Sequence, residues 1–223
     1  MEAGIKEESL EHSIKTIEEI ADILRKTGAL NLAELPADKT VLVIVDMVNG
    51  FAREGVLKSP RVEMLIPVIT GLQKACIGRG VPILAFADNH TEASPEFASY
   101  PKHCISGSSE GKIVDEIKEN GGYLLIPKNS TNGFLEEEFG KWLGENMEIK
   151  NFIVTGDCTD ICIQQFAITL KAWFNMLNEE ARVIVPVNAV DTYDLGIHCS
   201  DLMNTMALYN MMINGVELVS GIN

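Results

Sequence analysis

The chain has 223 residues and a formal charge of −14, with 46% apolar and 22% charged residues. This suits one α/β domain or two small ones. The excess of negative charge argues against a nucleic-acid or anionic-membrane partner, since both require a basic face. Far fewer alternating segments are present than a barrel of eight strands and eight helices requires. No basic start precedes an apolar core, and no apolar run approaches the ~20 residues of a membrane span, so a cytoplasmic location is expected. The five cysteines, at 76, 104, 158, 162 and 199, are odd in number, scattered and without a CxxC pair. That pattern suits reduced thiols better than a disulfide framework or a Cys-only zinc site.

Residues 7–27 carry Leu10, Ile14, Ile17, Ala21 and Leu24 on one stripe, with Glu7, Glu8 and Glu11 early, Arg25 and Lys26 late, and Gly28 as a stop. This predicts an amphipathic helix, packed on the domain or crossing to a neighbouring subunit. Val41–Val45 is a continuous β-branched run of the kind buried on both faces of a parallel sheet, and it ends at Asp46. A loop marked by Gly50, Gly55 and Pro60 leads to a predicted helix over 61–80, in which Pro67 would introduce a kink. A second strand, 81–87, ends in Asp88-Asn89-His90, and a long polar loop follows with Tyr100-Pro101-Lys102-His103-Cys104. Further elements are a short helix over 113–119, a strand over 123–127 ending at Lys128, and a helix over 135–146. Then comes a strand at 152–154 that breaks at Gly156 and passes through a polar turn into a helix carrying Cys162. A strand over 182–187, a helix over 201–213 and a strand over 216–219 complete the chain. Strand and helix alternate throughout, predicting a three-layer α/β/α fold on a six-stranded, mostly parallel, doubly wound sheet.

Three strand ends bear groups of complementary chemistry. Asp46, Lys128 and Cys162 offer a base, a cation and a thiol at one sheet edge, a set suited to acyl transfer through a thioester. Cys162 near a helix start would meet unpaired N–H groups and the positive end of the dipole, which favour a thiolate; a packed core thiol is the plainer alternative. Asp88, His90 and His103 form a borderline-hard donor set suited to zinc, iron or manganese, or else are ordinary polar loop residues.

These segments resemble the isochorismatase-like cysteine hydrolases, and within them the nicotinamidases. VIVDMVNGFAREGVL resembles the family's D-x-Q-N-D-F…G-x-L, and TGDCTDICI resembles G-x-x-T-x-x-C-V. DNH and YPKHCISGS resemble the nicotinamidase D-x-H and W-P-x-H-C-x-x-G-T. The resemblance covers residue 40 onward, suggesting an N-terminal helix and connector (1–39) ahead of a hydrolase domain (40–223). It implies a catalytic triad of Asp46, Lys128 and Cys162, oxyanion donors at the backbone N–H of Cys158 and Cys162, ring-sandwiching aromatics Phe51 and Tyr100, and a divalent metal on Asp88, His90 and His103. It places a cis peptide at Asp157–Cys158. The implied activity is hydrolysis of nicotinamide to nicotinic acid and ammonia, in a homo-oligomer whose partner is a small-molecule amide. A ureido, carbamoyl or isochorismate-like substrate and a catalytically silent binding module remain alternatives. Val48 replaces the family's Gln, Gly50 its Asp, and Tyr100 its Trp. Asp157 stands where the family has a small or apolar residue, and would oppose a thiolate at Cys162 if ionised.

Overall fold

In a computed structural model, residues 7–223 are described, and the first six residues of the predicted N-terminal segment lie outside them. The side chains of Glu7 and Glu8 lie outside the description too. Six strands form one sheet: β1 (Thr40–Val45), β2 (Ile83–Asp88), β3 (Tyr123–Lys128), β4 (Asn151–Gly156), β5 (Arg182–Pro186) and β6 (Glu217–Val219). Their order is β3-β2-β1-β4-β5-β6, and every pairing is parallel. The helices are α1 (Glu7–Arg25), α2 (Asn49–Ala52), α3 (Pro60–Glu63), α4 (Ile66–Arg79), α5 (Asp115–Asn120), α6 (Glu137–Glu145), α7 (Gln164–Met176) and α8 (Ser200–Ile213).

The β-branched runs explain the sheet. Along β1, Leu42 and Ile44 enter one apolar cluster with Ile69 and Ile117, while Val41, Val43 and Val45 enter another with Phe166 and Phe174. Both faces are covered, as a parallel sheet requires. The sequence order reverses between β1 and β4, where α/β folds open a ligand crevice beyond the carboxyl ends of the strands. A Cβ added at Gly156, the last residue of β4 (φ 117°), would lie 1.9 Å from the Val45 carbonyl oxygen. Only glycine lets β1 and β4 approach this closely at the crevice.

The helical expectations need three corrections. The segment 61–80 is divided into α3 and α4 at Met64 and Leu65, both of which stay right-handed, rather than running as one continuous helix. Pro67 falls in the first turn of α4, where its missing N–H forfeits no hydrogen bond. The stripe on α1 is covered only toward its end: Ile17, Ala21 and Leu24 are half-buried, while Leu10 and Ile14 stay 49% and 57% exposed. The turn bearing Cys162 is a single π-helical turn, Thr159–Ile163, ahead of α7. No helix of the described residues is long and apolar enough to cross a membrane.

Candidate active site

The ends of β1, β2, β3 and β4 bring Asp46, Asp88, Lys128 and Cys162 to one crevice. Asp46 follows β1 in a left-handed conformation (φ 55°), and its Oδ1 accepts a hydrogen bond from the Asp88 N–H at 3.1 Å. Lys128 closes β3, fully buried. Its Nζ lies 2.8 Å from Asp46 Oδ2, pairs with Asp88 Oδ1, donates to the Ser130 carbonyl at 3.1 Å and approaches Cys162 Sγ at 3.6 Å. One ammonium thus links two carboxylates and the thiol.

Burial and charge set the protonation states. Burial raises the Asp46 carboxyl and the Asp88 charge raises it further; Lys128 offsets them only in part, leaving it near pKa 7. Burial opposes ionisation of Asp88 as well, but Lys128 and the two imidazoles outweigh it and hold Asp88 well below the ordinary carboxylate range. Burial would neutralise Lys128, yet Asp46 and Asp88 together push it well above its ordinary value. For Cys162 burial dominates. Lys128 lowers its pKa, Asp46 and Asp88 raise it, and the net is well above an ordinary thiol. The expectation of a resting thiolate from the helix start is therefore corrected: Cys162 rests as a thiol. Asp157 is fully buried, and burial followed by the Asp46 charge holds it well above the usual carboxylate range. Burial thus favours the neutral acid at Asp157, which limits the charge it sets against the nucleophile. The Asp157–Cys158 peptide is cis.

Beside this cluster, ligand atoms of Asp88, His90 and His103 all lie within 4.8 Å of one another. His90 Nδ1 faces Asn129 Oδ1 at 3.2 Å, and His103 Nδ1 faces the Pro101 carbonyl at 2.8 Å. Held from behind, both Nε2 atoms point at Asp88 Oδ2, each at 3.4 Å. Burial lowers both imidazole pKa values, but the Asp88 carboxylate outweighs it and raises them. His90 Nε2 is buried without a hydrogen-bond partner. A buried, unpartnered nitrogen aimed at a second imidazole and a carboxylate fits a divalent cation, with outer contacts orienting each ring. A cation and protons compete for these same atoms, so metal binding here releases protons.

A recess opens over Cys162 and His103. Phe51 and Tyr100 line it, their ring centroids 5.5 and 6.3 Å from that of His103. Cys158, Ile161, Thr131 and Leu57 complete much of its wall. Sequence reasoning missed Glu96, Asn129 and Tyr193. Glu96 Oε1 lies 3.6 Å from His90 Nε2 in a 3₁₀ turn, and Tyr193 reaches the recess from the loop after β5. Neither has a periodic signal. The position of Asn129, directly after Lys128 at a strand end, was the one available hint.

Comparison with known proteins agrees with this fold. The family model for the isochorismatase domain matches residues 40–217. Nicotinamidase 1 of Arabidopsis thaliana is 30% identical over 239 residues, spanning 92% of this chain and 97% of that protein. Ureidoacrylate amidohydrolase RutB of Pseudomonas savastanoi pv. phaseolicola is 27% identical over 165 residues, spanning 62% and 66%. Among solved structures, N-carbamoylsarcosine amidase from Thermoplasma acidophilum matches with a TM-score of 0.67 at 24% identity, covering 81% of this chain and 95% of that one. Pyrazinamidase of Pyrococcus horikoshii in complex with zinc matches at 0.65 and 22%, covering 81% and 98%. At these identities the solved structures speak for the fold. With the family model spanning most of its length, this chain belongs to the isochorismatase family.

Proposed function

We propose that this protein is a metal-dependent cysteine amidohydrolase of the nicotinamidase type. The observation that carries the reading is the chemistry of the recess. Among the described residues its wall holds aromatic rings, two acids (Asp88 and Glu96) and His103, but no lysine or arginine. An anionic ureido or carbamoyl acid would find no basic side chain in the wall to receive its carboxylate; the cation open to it would be a metal on Asp88, His90 and His103, in the position a ring nitrogen would take. A neutral aromatic amide suits such a wall. The similarity to Nicotinamidase 1 supports the same substrate class.

In this reading Phe51 and Tyr100 hold the ring, with the amide carbonyl over Cys162. Asp46 takes the thiol proton as sulfur attacks the carbonyl carbon. A general base of pKa near 7 is well matched to that task at neutral pH. The N–H groups of Cys158 and Cys162 receive the oxyanion; one such donor is worth about 3–4 kcal/mol in the transition state. Asp46 returns the proton to the departing ammonia, then draws one from the water that hydrolyses the thioester. Lys128 keeps Asp46 oriented and offsets negative charge. Asp88, His90 and His103 would hold zinc, iron or manganese, which when bound supplies a Lewis-acid position for a ring nitrogen.

The test is ammonia release from nicotinamide and from a ureido acid, with and without chelator, for wild type and Cys162→Ala. Nicotinamide turnover that needs both the metal and Cys162 is expected. Turnover that survives in Cys162→Ala, or is confined to the ureido acid, rejects the reading.

A further inference from the structure

The loop between β5 and α8 holds an arrangement that the chemistry above does not use. Its root is tied to the nucleophile's turn by backbone, the Thr159 N–H donating to the Asp191 carbonyl at 3.0 Å. Its tip is a small hairpin: Leu195 and His198 exchange backbone hydrogen bonds of 3.1 and 2.9 Å around Gly196-Ile197, with Gly196 at φ 59°. Ile197, fully exposed, points away from the domain. On the inner side Tyr193 enters the recess, half-buried.

What holds the tip against the turn is a side-chain relay. The Tyr193 ring lies flat on the His198 imidazole, with centroids 4.1 Å apart and planes within 9°. His198 Nδ1 lies 2.9 Å from the Tyr193 carbonyl oxygen, and Nε2 lies 2.8 Å from Asp160 Oδ2. Contacts on both edges and one face leave the imidazole a single orientation, and the imidazole in turn fixes the phenol ring. Asp160 sits in the same π-turn as Cys162, two residues before it. The wall residue and the nucleophile are thus referenced to one short segment of backbone.

We infer that Tyr193 is a substrate-contact residue that completes the aromatic slot, and that the His198–Asp160 pair positions it. This rests on the nicotinamidase-type reading, and it names the ligand class as a planar aromatic amide. Tyr193 contributes a ring face, so its hydroxyl is dispensable for binding and its ring is not. His198 touches no substrate and acts through Tyr193 alone.

The experiment measures nicotinamide binding by calorimetry on zinc-loaded protein in a Cys162→Ala background, where no turnover interferes. Aromatic contacts of this kind change binding by about two- to twelvefold. Tyr193→Ala and Tyr193→Leu should weaken binding about tenfold, whereas Tyr193→Phe should stay within about twofold of the parent. His198→Ala should weaken it about threefold or more, and Tyr193→Ala/His198→Ala should bind no worse than Tyr193→Ala alone, because the two act as one unit. Unchanged affinity in both Tyr193→Ala and Tyr193→Leu overturns the inference while leaving the proposed function standing, and so do additive losses in the double variant. No nicotinamide binding by the parent overturns both.

Discussion

Asp88 divides its carboxylate between two tasks: Oδ1 pairs with the Lys128 ammonium, and Oδ2 faces the Nε2 atoms of His90 and His103 at 3.4 Å each. The candidate metal site and the candidate triad therefore share one side chain. Occupancy of the first is felt electrostatically by the second.

Removing the ammonium tests how the buried charges are balanced. Lys128 is the cation between two buried carboxylates, Asp46 and Asp88. Deleting one partner of a buried charge cluster leaves the rest unpaired in a low-dielectric interior. Lys128→Met should lower unfolding free energy by about 3–5 kcal/mol in urea titrations, with little change in m-value. A loss below about 1 kcal/mol would contradict the pairing.

The second prediction concerns pH. Burial, and then the charge of Asp88, bring the Asp46 carboxyl up to about 7. A protonated Asp46 cannot accept the thiol proton. In the proposed chemistry kcat/KM should therefore fall about tenfold per unit below that value. A divalent cation on Asp88 offsets the charge that helps raise Asp46, so metal loading should move this limb to lower pH. Rate profiles of metal-loaded and partly chelated protein check both the slope and the direction of the move.

Asn129 tests the outer contacts of the metal site. Its Oδ1 lies 3.2 Å from His90 Nδ1, orienting the ring so that Nε2 faces Asp88. Asn129→Ala should weaken metal affinity about 10- to 100-fold, the range for such supporting contacts. Competition with a chromogenic chelator measures it, and unchanged affinity would show that the ring needs no such support.

Asp157 tests a buried carboxyl whose pKa burial raises. Burial raises it well above its ordinary 3.8. Above pH 3.8 the unfolded chain has released a proton that the folded chain retains. This group's stabilisation is thus complete below 3.8 and is lost as pH rises toward the folded value, at about 1.4 kcal/mol per pH unit. Asp157→Asn keeps the shape without the slope. Its stability relative to wild type should rise between pH 5 and pH 8 in parallel denaturant titrations. A constant difference would mean that Asp157 is ionised.

The chemistry-bearing strand ends were legible because the signal is local. Five consecutive apolar residues before Asp46 mark a strand buried on both faces and its exit at a sheet edge. The edge strand was less transparent: β3 reads as apolar, yet Leu124 and Leu125 are 49% and 45% exposed, because one side of β3 has no neighbouring strand. The interruption of the helix over 61–80 lies just ahead of Pro67: Met64 and Leu65 keep right-handed helical dihedrals between α3 and α4, so apolar spacing runs straight through the junction.

Residue order alone carries the alternation of strand and helix, the parallel sheet it requires, and the positions of Asp46, Lys128 and Cys162 at element ends, because hydrophobic period and turn residues act over a few positions. Tertiary structure decided the rest. It joined Asp88 to Lys128 and to both imidazoles, brought Tyr193 to the recess wall, and raised the pKa values of Cys162 and Asp157. Those outcomes depend on desolvation and on charges that are neighbours only across strand crossovers, and such distances are created by folding.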